Sequence, residues 1–298
     1  MMKLAALLAI VSLVCMTGPG FSADKKLVLI AGKPSHGPGA HEFRAGCMLL
    51  QKCLANVDGL KVEVASNGWV SDPKMLDDAD AVVLYSDGGK RNPFLEGNRP
   101  EILRKLAQKG VGIANMHFAV EVPKDTGGAL FLDLIGGYYE HAYSCNPFWS
   151  PDYQTFPKHP ITNGVKPFSC RDEWYMHMRF RPEMKGVTPI LIAKPSDKVR
   201  KGPYVHPKGP YDHIVADSGK DEVMMWAVER EDGGRGFGWT GGHYHSNWGN
   251  ENYRKVILNA LVWVCKMDVP ADGISSSVTE DDLKQNMDQK GRKKKKKK

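Results

Sequence analysis

Half of the ten histidines of this 298-residue chain fall in three short stretches. His36 and His41 lie in Lys33-Pro34-Ser35-His36-Gly37-Pro38-Gly39-Ala40-His41-Glu42, His117 ends Val111-Gly112-Ile113-Ala114-Asn115-Met116, and His243 and His245 lie in Gly241-Gly242-His243-Tyr244-His245-Ser246-Asn247-Trp248. An imidazole titrates near neutral pH, ligates divalent metals and hydrogen-bonds hydroxyls. In the first stretch Gly and Pro make the backbone either stiff or free to take positive φ, so that both rings can reach one point. His117 stands where a hydrolase with a strand–turn–helix nucleophile would carry Ser or Cys. An imidazole there serves as base, ligand or donor and is a poor hydrolytic nucleophile. His243 and His245 are two apart, so an extended chain would point both the same way. The plainer alternatives make His41 a helix cap, His36 a surface residue and His117 a core histidine satisfied by a backbone carbonyl.

A fourth stretch, Phe168-Ser169-Cys170-Arg171-Asp172-Glu173-Trp174-Tyr175-Met176-His177, combines carboxylates with aromatic rings. Carboxylates that bind hydroxyls, beside aromatic faces that stack on C–H surfaces, are what a sugar site requires. Strand alternation sends Asp172 and Glu173 to opposite faces, so one of the two is expected in the site. The expected catalytic set is His117, His243 and Glu173, with His117 first for acid/base work. The expected substrate-binding set is His36, His41, Asp87, His141, Asp172, Tyr175, His245 and Trp248. If a divalent metal such as zinc is the cofactor, His36, His41 and His243 are the ligands to expect, with His117 able to join them.

These residues need a scaffold that brings loops together. Lys26 to Ala31, Leu60 to Ala65, Ala81 to Tyr85 and Val111 to Met116 read as strands, alternating with helical spacing over His41 to Val57 and Glu101 to Gln108. Such alternation predicts an α/β, flavodoxin-like parallel sheet with helices on both faces. Later strands are expected at Thr188 to Ala193, Glu222 to Glu229 and Gly236 to Thr240, and a last helix over Glu251 to Lys266 with one inner face. In open parallel sheets, loops at the strand carboxyl ends share one crevice. His36, His41, Asp87, His117, His243 and His245 all sit on such loops.

In order along the chain, four segments together resemble the ThuA-like (trehalose utilisation) family over nearly all of residues 25 to 267. They are Gly112 to His117, Gly136-Gly137-Tyr138-Tyr139-Glu140-His141, His159-Pro160-Ile161-Thr162 leading to Asp172-Glu173-Trp174-Tyr175, and Gly234-Arg235-Gly236 leading to Gly242-His243. The resemblance implies a core of the class I glutamine amidotransferase type and a link to trehalose and keto-sugar metabolism. With His117 at the apparent elbow and no Cys after a buried strand, amidotransferase chemistry is not expected. The two remaining readings are an enzyme acting on a sugar or oxidised (keto) glycoside and a non-catalytic carbohydrate-binding protein. The stretch Lys198 to His213 reads as an elaboration that shapes access.

Lys3, the apolar run Leu4 to Met16 and the small residues Ser22 and Ala23 have the layout of a secretory leader, giving an expected secreted or periplasmic protein. The domain division expected is leader 1–23, ThuA-like domain 24–270 and a disordered basic tail 271–298. No later segment is long and apolar enough to span a bilayer. Five cysteines remain after the leader, an odd number that leaves at least one free thiol; Cys145 with Cys170 is the pair left open. The net charge of +7 is concentrated in the tail, so the domain lacks the basic field that nucleic acid would require, and a small carbohydrate is the expected partner. Intact-mass measurement of the exported protein should find an N-terminus near Asp24; an unprocessed or diacylated N-terminus would contradict the leader assignment.

Overall fold

The computed structural model describes residues 24–291; residues 1–23, expected to be a leader, and the Lys-rich run 292–298 lie outside the described residues. Seven strands form the central sheet: β1 (Lys25–Ala31), β2 (Leu60–Ala65), β3 (Ala81–Tyr85), β4 (Gly112–Met116), β5 (Val187–Ala193), β6 (Glu222–Glu229) and β7 (Arg235–Trp239), in the order β5-β6-β7-β4-β3-β1-β2. From β2 to β7 every pairing is parallel; β6 runs antiparallel to both β7 and β5. The architecture is the flavodoxin-like α/β class expected. The sheet is mixed rather than wholly parallel because β6 and β7 join by a tight turn at residues 230–234, which only an antiparallel pair allows.

Burial explains the run-like strands. β3 and β4 are buried at every position, and β1 alternates its contacts: Leu27, Leu29 and Ala31 face one apolar layer, Val28 and Ile30 the other. The first layer is completed by helices α1 (Phe43–Leu54) and α6 (Glu251–Val264), the second by α2 (Arg99–Gln108) and α3 (Ala129–Ile135). Two short helices, α4 (Asp197–Arg200) and α5 (Asp212–Ala216), belong to the elaboration before β6. Between α3 and β5 the chain makes two-residue ribbons, of which Phe148–Trp149 with Asp172–Glu173 matters most, because it carries both carboxylates to the sheet end. All five described cysteines are free thiols, so Cys145 and Cys170 form no bridge.

The segment after Ala271, expected to be disordered, is held against the domain as far as Lys290. Ile274 is buried, its backbone N–H donates to Asn259 Oδ1, and Arg254 donates to Ser276. Further on, the Lys290 ammonium contacts the carbonyls of Ala40 and His41 and the buried carboxylate of Glu42. The same contacts bury α6 on nearly all sides, not on one inner face. Polar anchors, rather than an apolar period, hold this segment down. Deleting residues from 271 onward should therefore destabilise the domain by at least about 2 kcal/mol, the scale of one buried Ile, or roughly 4–8 °C in Tm for a domain of this size. A truncated chain melting with the full one would contradict this packing.

Candidate functional site

The loops after β1, β3, β4 and β7 meet at one sheet edge. The first and last pair directly: His41 N–H donates to the His243 carbonyl at 2.9 Å, His245 N–H to Gly39 at 3.0 Å, and Ala40 bridges Tyr244. His36, His41 and His117 all take positive φ, 58°, 52° and 55°. Such conformations cost about 1–3 kcal/mol each for non-glycine residues and persist only where surrounding contacts enforce them. His117 begins the 3₁₀ turn His117–Val120 directly after β4, so the chain keeps the sharp strand-to-helix elbow while carrying an imidazole at its tip.

Asp172 builds the floor. Its carboxylate accepts from the backbone N–H groups of Gly242, His243 and Tyr244 at 2.9, 3.1 and 3.3 Å, and from the Tyr253 hydroxyl at 2.6 Å. Glu173, on the opposite side of the ribbon, enters the crevice: Oε1 accepts from Asn146 at 2.9 Å, and Oε2 lies 2.7 Å from His243 Nδ1 and 3.8 Å from His117 Nε2. His41 Nε2 lies 3.1 Å from both His117 Nε2 and His243 Nδ1. The distal nitrogens are also held, His41 Nδ1 donating to Asp87 Oδ1 at 2.7 Å and His117 Nδ1 to the Thr240 carbonyl at 3.0 Å. Tyr175 lies against His117, with ring centroids 5.1 Å apart. Burial, then the neighbouring imidazoles, push the pKa values of His41 and His117 down; burial, then Asp172, pushes that of Glu173 well above the carboxylate range. One ligand atom each from His41, His117, Glu173 and His243 falls within 4.8 Å of every other, a grouping that could hold a metal ion.

The sequence profile of ThuA, described as trehalose utilisation, matches residues 28–264. The chain belongs to the ThuA family. Among solved structures it is similar to a putative ThuA-like protein from Bacteroides uniformis ATCC 8492, with 15% identity, TM-score 0.56, and 85% of this chain and 96% of that chain covered. A putative ThuA-like protein from Parabacteroides merdae ATCC 43184 gives 14%, 0.55, 87% and 98%, and a cytoplasmic protein from Salmonella typhimurium LT2 gives 14%, 0.51, 80% and 99%. At these identities the likeness is one of fold. No curated protein matches the sequence.

On this ThuA scaffold the expected site residues separate into three groups. His41, His117, Glu173 and His243 form the cluster, with Asp87, Asp172 and Tyr175 against it. His36 does not join the cluster; it stacks on His41 with ring centroids 3.6 Å apart and stands half-exposed at the mouth near Asp87. Of the three metal ligands expected, His41 and His243 thus lie in one group with His117 and Glu173, and His36 in a second with His41 and Asp87. Three residues lie elsewhere. His245 turns away toward Glu42, because after Tyr244 the chain enters the 3₁₀ turn His245–Gly249 and extended alternation no longer applies. Trp248 is fully buried among Tyr85, Trp239 and Tyr253 and offers no face to a sugar. His141 is exposed, 3.7 Å from Glu121. His117 also departs from expectation in its protonation: buried and held at Nδ1, it does not titrate near neutrality. Sequence reasoning missed Asn146 and Thr240, which orient Glu173 and His117, and Glu121, whose carboxyl burial and Glu173 push up to about 8. None of the three is flagged by motif or spacing.

Asp172→Ala would strand three backbone N–H groups and a phenol. A loss of about 3 kcal/mol, the scale of hydrogen bonds to a buried charge, is expected in denaturant unfolding, whereas Glu173→Gln should stay within about 1 kcal/mol of the parent because its neighbours can still be satisfied. Equal stabilities for Asp172→Ala and the parent would show that the carboxylate does not organise the loop.

Proposed function

We propose that this chain is an exported enzyme of carbohydrate metabolism that acts on a sugar or oxidised (keto) glycoside in the crevice at the strand carboxyl ends. The observation that carries the reading is the convergence of Glu173, His243 and His117, with Tyr175, at the sheet edge; Asp87, which holds His41, also lines a neighbouring cavity of about 610 Å³. That volume suits an ordinary small-molecule site. Ser35, Asn67, Ser86, Asp87 and Lys90 along its wall supply donors and acceptors for hydroxyls. The trehalose-utilisation description of the family supports the substrate class, and the leader pattern at residues 1–23 supports export.

Within this reading Glu173 and His243 form the reacting pair. They are 2.7 Å apart, and burial favours the uncharged carboxyl, so a proton shared between them can pass to or from a ligand oxygen. His117 acts as a fixed partner, since its Nδ1 hydrogen bond holds the ring and its low basicity keeps it neutral. The burial of the cluster side chains favours a second reading, a carbohydrate-binding protein in which the cluster is structural. A thermal-shift screen of trehalose, glucose and their keto derivatives, followed by product analysis of every hit, separates the two. A ligand at about 100 times its Kd should stabilise by about 2.7 kcal/mol, and Glu173→Gln should lower turnover by at least about 100-fold. Binding without turnover would establish the second reading, and no response to any sugar would overturn both.

A further inference from the structure

We propose that His41 Nε2, His117 Nε2, His243 Nδ1 and Glu173 Oε2 together form a binding site for one divalent cation of the zinc type. The inference concerns the same crevice as the carbohydrate reading but stands whether or not the ligand is a sugar.

The strongest observation is a contact that protons alone leave unsatisfied. A carbonyl oxygen only accepts, so His117 Nδ1 must carry the hydrogen it gives to Thr240; likewise His41 Nδ1 gives its hydrogen to the Asp87 carboxylate. With the ring hydrogens so placed, both Nε2 atoms present lone pairs that face each other at 3.1 Å, and the Tyr175 hydroxyl reaches His117 Nε2 only at 3.5 Å. No hydrogen bond can form between two acceptors. A hydrogen on His243 Nδ1 can serve His41 Nε2 at 3.1 Å, and an uncharged Glu173 carboxyl can place one between itself and His243 at 2.7 Å, but neither lies between His41 and His117. A cation placed among the four would take all four lone pairs at once and displace the proton that Glu173 and His243 share in its absence.

Zinc holds imidazole nitrogen at about 2.0–2.1 Å, which sets neighbouring ligand atoms of a tetrahedron about 3.3 Å apart. The two separations from His41 Nε2, 3.1 Å each, are close to that edge, and those from Glu173 Oε2 to His243 and His117, 2.7 and 3.8 Å, lie on either side of it. The three rings stand nearly perpendicular to one another, with interplanar angles of 79°, 82° and 84°, so their in-plane lone pairs converge instead of running side by side. Asp87 and the Thr240 carbonyl hold two of the imidazoles and Asn146 holds the carboxylate, the outer arrangement that fixes metal ligands. Three nitrogens and one oxygen suit zinc and its transition-metal neighbours, whereas magnesium and calcium prefer oxygen.

Two other groupings are weaker. His36, His41 and Asp87 lie close, but the His36 and His41 rings are stacked at 26°, so their lone pairs lie in nearly parallel planes. His177, Asp217 and Glu222 already face cations: Arg200 sits 2.7 Å from Glu222 and Lys220 2.5 Å from Asp217.

The test uses the untagged mature chain, stripped with a chelator and titrated with Zn²⁺ or Co²⁺ alone. One ion per chain is expected, with Kd below about 0.1 µM and the intense visible bands of tetrahedral cobalt. His117→Ala and Glu173→Gln should weaken binding by at least about 10-fold, and His36→Ala should bind as the parent does. Glu173→Gln, which keeps the side-chain volume, covers the case in which His117→Ala fails to fold. Absence of micromolar binding by the folded parent overturns the proposal, as does loss of the metal in His36→Ala with retention in Glu173→Gln. Because the readouts are metal content and absorption, this result is independent of whether any sugar binds.

Discussion

The site depends on one buried carboxylate. Asp172 lies on a two-residue ribbon with no place in the main sheet, yet it accepts three successive N–H groups from the loop after β7 and the Tyr253 hydroxyl from α6. That set of bonds fixes the ribbon, the loop and the helix relative to one another. Glu173 comes next in sequence and, by strand alternation, is delivered to the other side, where it meets His243. The registration of Glu173 against His243 is thus a consequence of Asp172 rather than of any contact the two make themselves.

Strain at the neighbouring loops follows the same logic. Left-handed backbone at His36, His41 and His117 is unfavourable in isolation, and each case is held by contacts beyond the residue concerned. His41 is gripped by its backbone bond to His243, by Asp87 and by Lys290 on its carbonyl; His117 is gripped by Thr240. The C-terminal segment thereby acts on the site: its lysine reaches the peptide groups of the first histidine loop and the buried Glu42 beside it. An enclosure of imidazoles and a carboxyl held this firmly suits chemistry that needs fixed lone pairs.

Much of the scaffold was legible in the sequence, because central buried strands are written as uninterrupted apolar runs and the half-exposed edge strand as an alternating one. Leu60–Ala65 and Ala81–Tyr85 fall at their expected boundaries, and their carboxyl ends carry the loops to a shared edge. Histidine convergence followed from topology alone. What could not be read was local geometry decided by tertiary contact. His245 and Trp248 lie in a stretch that looks extended and exposed, but a 3₁₀ turn rolls Trp248 into an aromatic core beneath the sheet edge. The segment after Ala271 has too few apolar residues to show a period, and is held by Ile274 together with polar bonds to Asn259, Arg254 and Glu42. Asn146 and Thr240 act through one amide and one carbonyl, groups that carry no signature in sequence.

The account holds that His41, His117, His243 and Glu173 are a single centre with lone pairs directed at one point. The most direct measurement is a crystal structure of the zinc-loaded chain with anomalous data collected on both sides of the zinc edge. The account predicts one peak enclosed by the four residues, about 2.0–2.1 Å from each of the three imidazole nitrogens. A map with no anomalous peak there, and with a water or a direct hydrogen bond between the Nε2 atoms of His41 and His117, would contradict it.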